Sequence, residues 1–158
     1  MTPEDLLTEA RRLVEHPDAA TAGVWPRASA LLARQALEQA MAGLWAAQPE
    51  AEGLSNGTMR SQLLCLNAYV GDDVATRAAY LSAALSRACH YHPYELAPTA
   101  AELTGWLDET ADLVALLRSR TDTGYPLRPP AGQLSGDAGT RPNGQRPGQA
   151  AGQPSGPW

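Results

Sequence analysis

Residues 72–98 read DDVATRAAYLSAALSRACHYHPYELAP, and this stretch decides the fold. Val74, Ala78, Leu81, Ala84, Leu85 and Ala88 recur at helical spacing, so they predict one long helix with one face turned inward. Gly71 breaks the preceding segment and Asp72 is placed to cap the new helix. Pro93 and Pro98 bracket a bend at the far end. Between the helix and the bend, Arg87, Cys89, His90, Tyr91, His92, Tyr94 and Glu95 fall within nine residues. No other part of the chain concentrates groups that work near neutral pH.

Working outward, more helices follow from the same periodicity. Toward the N-terminus, Thr2-Pro3-Glu4-Asp5 reads as a helix start, with Leu6, Leu7, Ala10, Leu13 and Val14 on one face and His16-Pro17 as the stop. Pro26 opens a second helix to about Gln48, its expected buried side marked by Leu31, Leu32, Leu37, Met41, Leu44 and Trp45. Residues 49–57 read as a loop. A shorter helix, 58–70, carries Met59, Leu63, Leu64, Leu66 and Tyr69. Beyond the bend, Thr99-Ala100-Ala101-Glu102 is a capping box. It opens a last helix to about Arg120, with Leu103, Trp106, Leu107, Thr110, Leu113, Val114 and Leu117 as its stripe.

Composition agrees with helices. Ala and Leu dominate the first 120 residues and Phe is absent from the chain. The expectation is an all-α, mainly antiparallel bundle of four to five helices over residues 1–120, because short loops join long amphipathic segments. From Thr121 the character changes: fifteen of the last 38 residues are Gly or Pro, and large apolar residues are sparse. Such a segment buries too little surface to offset its ordering entropy, so 121–158 reads as a disordered tail.

Charge and cysteine usage narrow the function classes. All twelve basic residues are arginine. Residues 1–120 hold nine arginines against fifteen carboxylates, a net charge of about −6 that argues against non-specific duplex DNA binding. Cys65 and Cys89 lack metal-knuckle spacing and read as buried thiols. The charged start, MTPEDLLTEARRL, is not a signal peptide, and no run of 18 apolar residues suggests a membrane span. A soluble cytoplasmic protein is the resulting expectation.

The chemistry lies at the end of the helix that opened the argument. Arg87, four residues, then His92 is a spacing that, late in an all-helical chain, resembles the signature of the HEPN superfamily. The run from Ala79 to Trp106 resembles an actinobacterial HEPN-like branch, and the likeness spans roughly residues 3–120. The resemblance implies a metal-independent endoribonuclease site formed by Arg87 and His92, two such sites meeting across a homodimer, and no cofactor. It also allows the other fate of such proteins, a non-catalytic module that binds a protein or nucleotide. An RNA substrate, a toxin, stress or defence role and an antitoxin partner belong to the same set of implications.

The physical logic of the pair is coherent. Arginine's fixed fork of donors suits a phosphate, and a histidine near its ordinary pKa suits proton transfer at pH 7. Pro93 biases His92 away from helical geometry, so it can turn back toward Arg87 rather than point about 140° away, as a helical residue five positions on would. His90, Tyr91, Tyr94 and Glu95 are the candidate substrate-binding and orienting groups. Ala88 stands where active members of the superfamily carry a polar residue, which leaves His90 or Glu95 to orient the pair. Four competing structural readings apply: Arg87 paired with Glu95 or a carboxylate of the last helix, His90 as a surface or interface histidine, His92 capping its helix, and Tyr91 and Tyr94 as packing residues. A zinc site from Cys89, His90 and His92 is not expected, since the two histidines point to different sides of a helix and no fourth ligand is evident. The spacing also occurs a second time, as Arg11 and His16 at the end of the first helix.

Overall fold

The computed structural model describes residues 1–90 and 96–122. Tyr91, His92, Tyr94, Glu95 and almost all of the expected tail therefore lie outside the described residues. Six α-helices are present among the described residues: α1 (Pro3–Glu15), α2 (Trp25–Ala46), α3 (Glu52–Ser55), α4 (Met59–Val70), α5 (Asp72–His90) and α6 (Ala100–Asp122). They contain no strand. Five of the helices are long and α3 is a single turn, so the all-α bundle expected from the sequence is the observed fold.

The ends of these helices are set by local chemistry. α1 starts in a reciprocal capping box: the Asp5 amide donates to Thr2 Oγ1 at 3.2 Å, and the Thr2 amide donates to Asp5 Oδ2 at 2.8 Å. α6 starts the same way: the Glu102 amide donates to Thr99 Oγ1 at 3.2 Å, and the Thr99 amide donates to Glu102 Oε2 at 2.8 Å. Gly71 closes α4 at φ +91°, a region that glycine enters without a side-chain penalty, and the chain reverses there into α5. Asp72 is thus the first residue of α5 rather than its cap. Two further boundaries differ from the sequence reading. The segment 49–57 folds into a 3-10 turn (Pro49–Ala51) and α3 instead of an open loop. α6 runs two residues past Arg120, through Thr121 and Asp122.

Cross-helix pairs fix the directions. Glu4 pairs with Arg118, and Arg11 pairs with Asp108 at 2.7 Å, so α1 and α6 are antiparallel. Arg77 meets Glu109 at 3.6 Å and Tyr80 meets Trp106, so α5 and α6 are antiparallel too. Ser29 donates to the Ala10 carbonyl at 3.0 Å, joining the start of α2 to the later part of α1. α2 packs against α1, α5 and α6 and forms the centre of the bundle.

The centre is built largely from small residues. Ala30, Ala33, Ala36 and Ala40 of α2 are buried with Leu37, Met41, Leu44 and Trp45, which lets three neighbours approach closely. Leu31 was expected on that buried side and is instead 44% exposed. It falls just outside the buried arc, on the Gln35 side, and the alanines take its place. On α4, Leu64 is 75% exposed while Gln62 is buried, the reverse of what polarity alone suggests. The Gln62 amide donates to the carbonyls of Leu54 (2.9 Å) and Gly57 (3.3 Å), so it ties α3 to α4 and is satisfied inside. Trp45 meets Tyr69 edge-on, ring centroids 5.0 Å apart, as core rather than as a ligand box.

Candidate functional site

Arg87 sits in the last turn of α5, on its solvent-exposed side. Its neighbours at 84, 85, 88 and 89 are buried against the bundle, which fixes the helix and directs position 87 outward. The side chain lines a groove of about 610 Å³ between α5 and the beginning of α6. Ala84 and Ala88 of α5, Leu96, Ala97 and Pro98 of the connection, and Thr99, Glu102 and Trp106 of the α6 end complete the lining. That volume is within the range of about 300–1,000 Å³ typical of small-molecule sites.

No carboxylate of α6 forms an ion pair with Arg87. On α6, Asp108 is paired with Arg11 and Glu109 with Arg77. Glu102 Oε2 accepts from both the amide and the hydroxyl of Thr99, each at 2.8 Å. These bonds, the backbone one foremost, hold its carboxyl below the ordinary 4.5, so it is anionic in the groove at neutral pH. Among the described residues Arg87 has no ion pair and no hydrogen-bond acceptor. Glu95, the other candidate partner, lies outside them.

The duplicate spacing has a different fate. Arg11 is half-buried and bridges α1 to α6 through Asp108. His16 is the C-cap of α1, its amide donating to the Arg12 carbonyl at 2.9 Å. That copy of Arg-x4-His is a brace between helices and a helix end.

His90 is the last residue of α5 and is exposed. Of the six residues singled out from the sequence, the described structure therefore places Arg87 and His90 on the same helical turn. Tyr91, His92, Tyr94 and Glu95 lie outside it. Cys89 faces the other way, into the core near Arg34, and burial pushes its thiol above the ordinary 9.0. A thiol in that state is a packing group rather than a nucleophile. Among the described residues no group of three His, Cys, Asp or Glu is placed to hold a metal ion. No helix among them is long and apolar enough to cross a membrane.

Two residues of the groove were not foreseen as site residues. Trp106 reads in the sequence as part of the α6 stripe, and Glu102 reads as a cap. Both are so, yet the antiparallel packing of α5 on α6 also brings them to Arg87. Trp106 is half-buried, and its indole N–H donates to the hydroxyl of Tyr80 at 3.4 Å. Tyr80 and Arg87 are seven residues apart and share a flank of α5. A second, smaller groove of about 350 Å³ joins α4 to α5. Arg34, Arg60, Leu63, Leu64, Ser82 and Ser86 contribute to it, and Arg34 is paired there with Glu38 at 2.7 Å. Its residues come from α2 as well as from the consecutive helices α4 and α5, so no single motif announced it.

No protein-family model matches the chain, and no curated protein or solved structure does either. The functional argument therefore rests on the residues of the groove.

Proposed function

We propose that this chain is a HEPN-like RNA-binding protein that holds a backbone phosphate with Arg87 and cleaves RNA there with His92 as the proton-transfer group. The observation that carries the reading is the contrast between two arginines with the same spacing to a histidine. Arg11 is consumed by an inter-helix ion pair, whereas Arg87 is exposed in a groove with no partner among the described residues. An arginine left in this way presents its donors to an anionic ligand.

In the proposed reaction the ribose 2′-oxygen attacks the adjacent phosphorus. The new 2′ O–P bond forms as the bond to the 5′-oxygen breaks, leaving a 2′,3′-cyclic phosphate and a 5′-hydroxyl. His92 takes the 2′-hydroxyl proton, and the imidazolium so formed returns a proton to the departing 5′-oxygen. Arg87 offsets the charge that builds on the phosphoryl oxygens. The protein's own residues supply every role, so the reaction proceeds without a metal. A cytoplasmic homodimer, with Arg87 and His92 of both copies facing one another, and a role in stress or defence belong to the same reading.

A second reading has its own support: a non-catalytic module using the same surface to bind a protein or nucleotide. Most of the groove lining is apolar, and Ala88 rather than a polar residue follows Arg87. Cleavage of an end-labelled RNA pool in excess EDTA separates the two. The nuclease reading predicts cutting with cyclic-phosphate ends, abolished by Arg87→Ala and by His92→Ala and preserved in Arg11→Ala and His16→Ala. An inert wild type that still binds through Arg87 supports the module. Cutting that is the same in all variants comes from a contaminant and removes the nuclease reading.

A further inference from the structure

We infer that the α5–α6 groove is a nucleobase subsite for single-stranded RNA, in which a base stacks on Trp106 while the adjoining phosphate is held by Arg87. The inference rests on the proposal that Arg87 binds RNA phosphate and adds what the rest of the groove recognises. Trp106 lines the groove and is only half-buried, so it has ring surface to offer. Its indole N–H is directed to the Tyr80 hydroxyl, which fixes the plane of the ring before any ligand arrives. An aromatic face beside a cationic side chain is the arrangement by which proteins hold unpaired bases, since every base has a face to stack and a neighbouring phosphate to neutralise. A duplex keeps its bases stacked on one another and has none to give.

Glu102 gives the site a direction. One of its carboxylate oxygens is occupied by Thr99. The other accepts no hydrogen bond among the described residues and lies in the same groove as Arg87. An anion there repels a second phosphate and accepts from base N–H groups. The pairs Tyr80–Trp106 and Arg77–Glu109 set Trp106 farther along the groove from Arg87 than Glu102 is, so the nucleotide lies with its phosphate at the Arg87 end and its base on Trp106, one edge turned to Glu102. The apolar remainder of the lining suits a flat ring better than a second charged group.

The test uses the full chain and two non-cleavable probes: a 2′-O-methyl hexa-adenylate and the same backbone without bases, each followed by fluorescence anisotropy. Wild type binds the base-bearing strand roughly 5- to 150-fold more tightly than the abasic one. Trp106→Leu brings that ratio close to one. Trp106→Phe, which keeps a ring and guards against loss of folding, retains most of it. Arg87→Ala weakens both strands alike. Equal binding of the two strands by wild type, or a ratio unchanged in Trp106→Leu, overturns the base subsite while leaving the Arg87 reading intact. Unchanged affinity of Arg87→Ala for both strands overturns the phosphate reading itself, and the subsite with it.

Discussion

Arg87 and Arg11 show how little a residue's identity and spacing reveal before its neighbours are known. Both precede a histidine by five positions, and both histidines precede a proline. The difference lies across the chain, in whether α6 brings a carboxylate to meet them. Asp108 meets Arg11, and that exposed bridge is worth about 0.2–1 kcal/mol. Arg11→Ala should therefore lower the thermal midpoint slightly and leave RNA binding alone. Arg87→Ala should leave the midpoint unchanged and weaken RNA binding, since it gives up no internal partner among the described residues. Paired thermal melts and binding titrations of the two variants check both halves. The same limit explains Trp106: its periodicity with Leu103, Leu107 and Thr110 correctly marks a core stripe. Its position at the groove edge depends on which helix lies alongside.

At the scale of the helix, the sequence was legible wherever one residue type has one job. Thr99 and Glu102 form the capping box their spacing implies, Pro3 opens α1, and Gly71 turns the chain at a positive φ. It was less legible where burial is shared. Leu31 and Leu64 are exposed because alanines and Gln62 occupy the inward positions, and an alanine carries no strong signal of its own. The capping boxes also give a pH dependence with a definite sign. Backbone hydrogen bonds from Thr2 and Thr99 hold Asp5 and Glu102 below their ordinary 3.8 and 4.5, and Glu4 is lowered by its own backbone and by Arg118. Each carboxyl is thus bound more strongly when charged. That stability is complete above the ordinary values and is lost as pH falls through the depressed ones. The thermal midpoint should be flat from pH 8 to about 5.5 and fall once the pH drops below about 4.5. Glu102→Gln should remove part of that fall, and a midpoint that rises on acidification would contradict the assignment.

Over the described residues the molecule is a bundle centred on α2, with its charged pairs at the periphery and an arginine-bearing groove between α5 and α6. All-helical architecture could be read from Ala- and Leu-rich periodicity because helices report their buried faces locally. The groove could not, because it exists only once two antiparallel helices and the segment 96–99 are set side by side. Net negative charge over 1–120 argues against a broad basic face, so the phosphate contact proposed above is a local one. The most direct test of that claim is the salt dependence of binding to a single-stranded, non-cleavable RNA. Each phosphate held by a cationic side chain contributes a slope of about −0.7 in a plot of log affinity against log salt. The account predicts that Arg87→Ala weakens binding and flattens the slope by about that amount, while Arg11→Ala leaves the slope as in wild type. An unchanged slope in Arg87→Ala, or equal flattening in Arg11→Ala, would contradict the placement of the phosphate at Arg87.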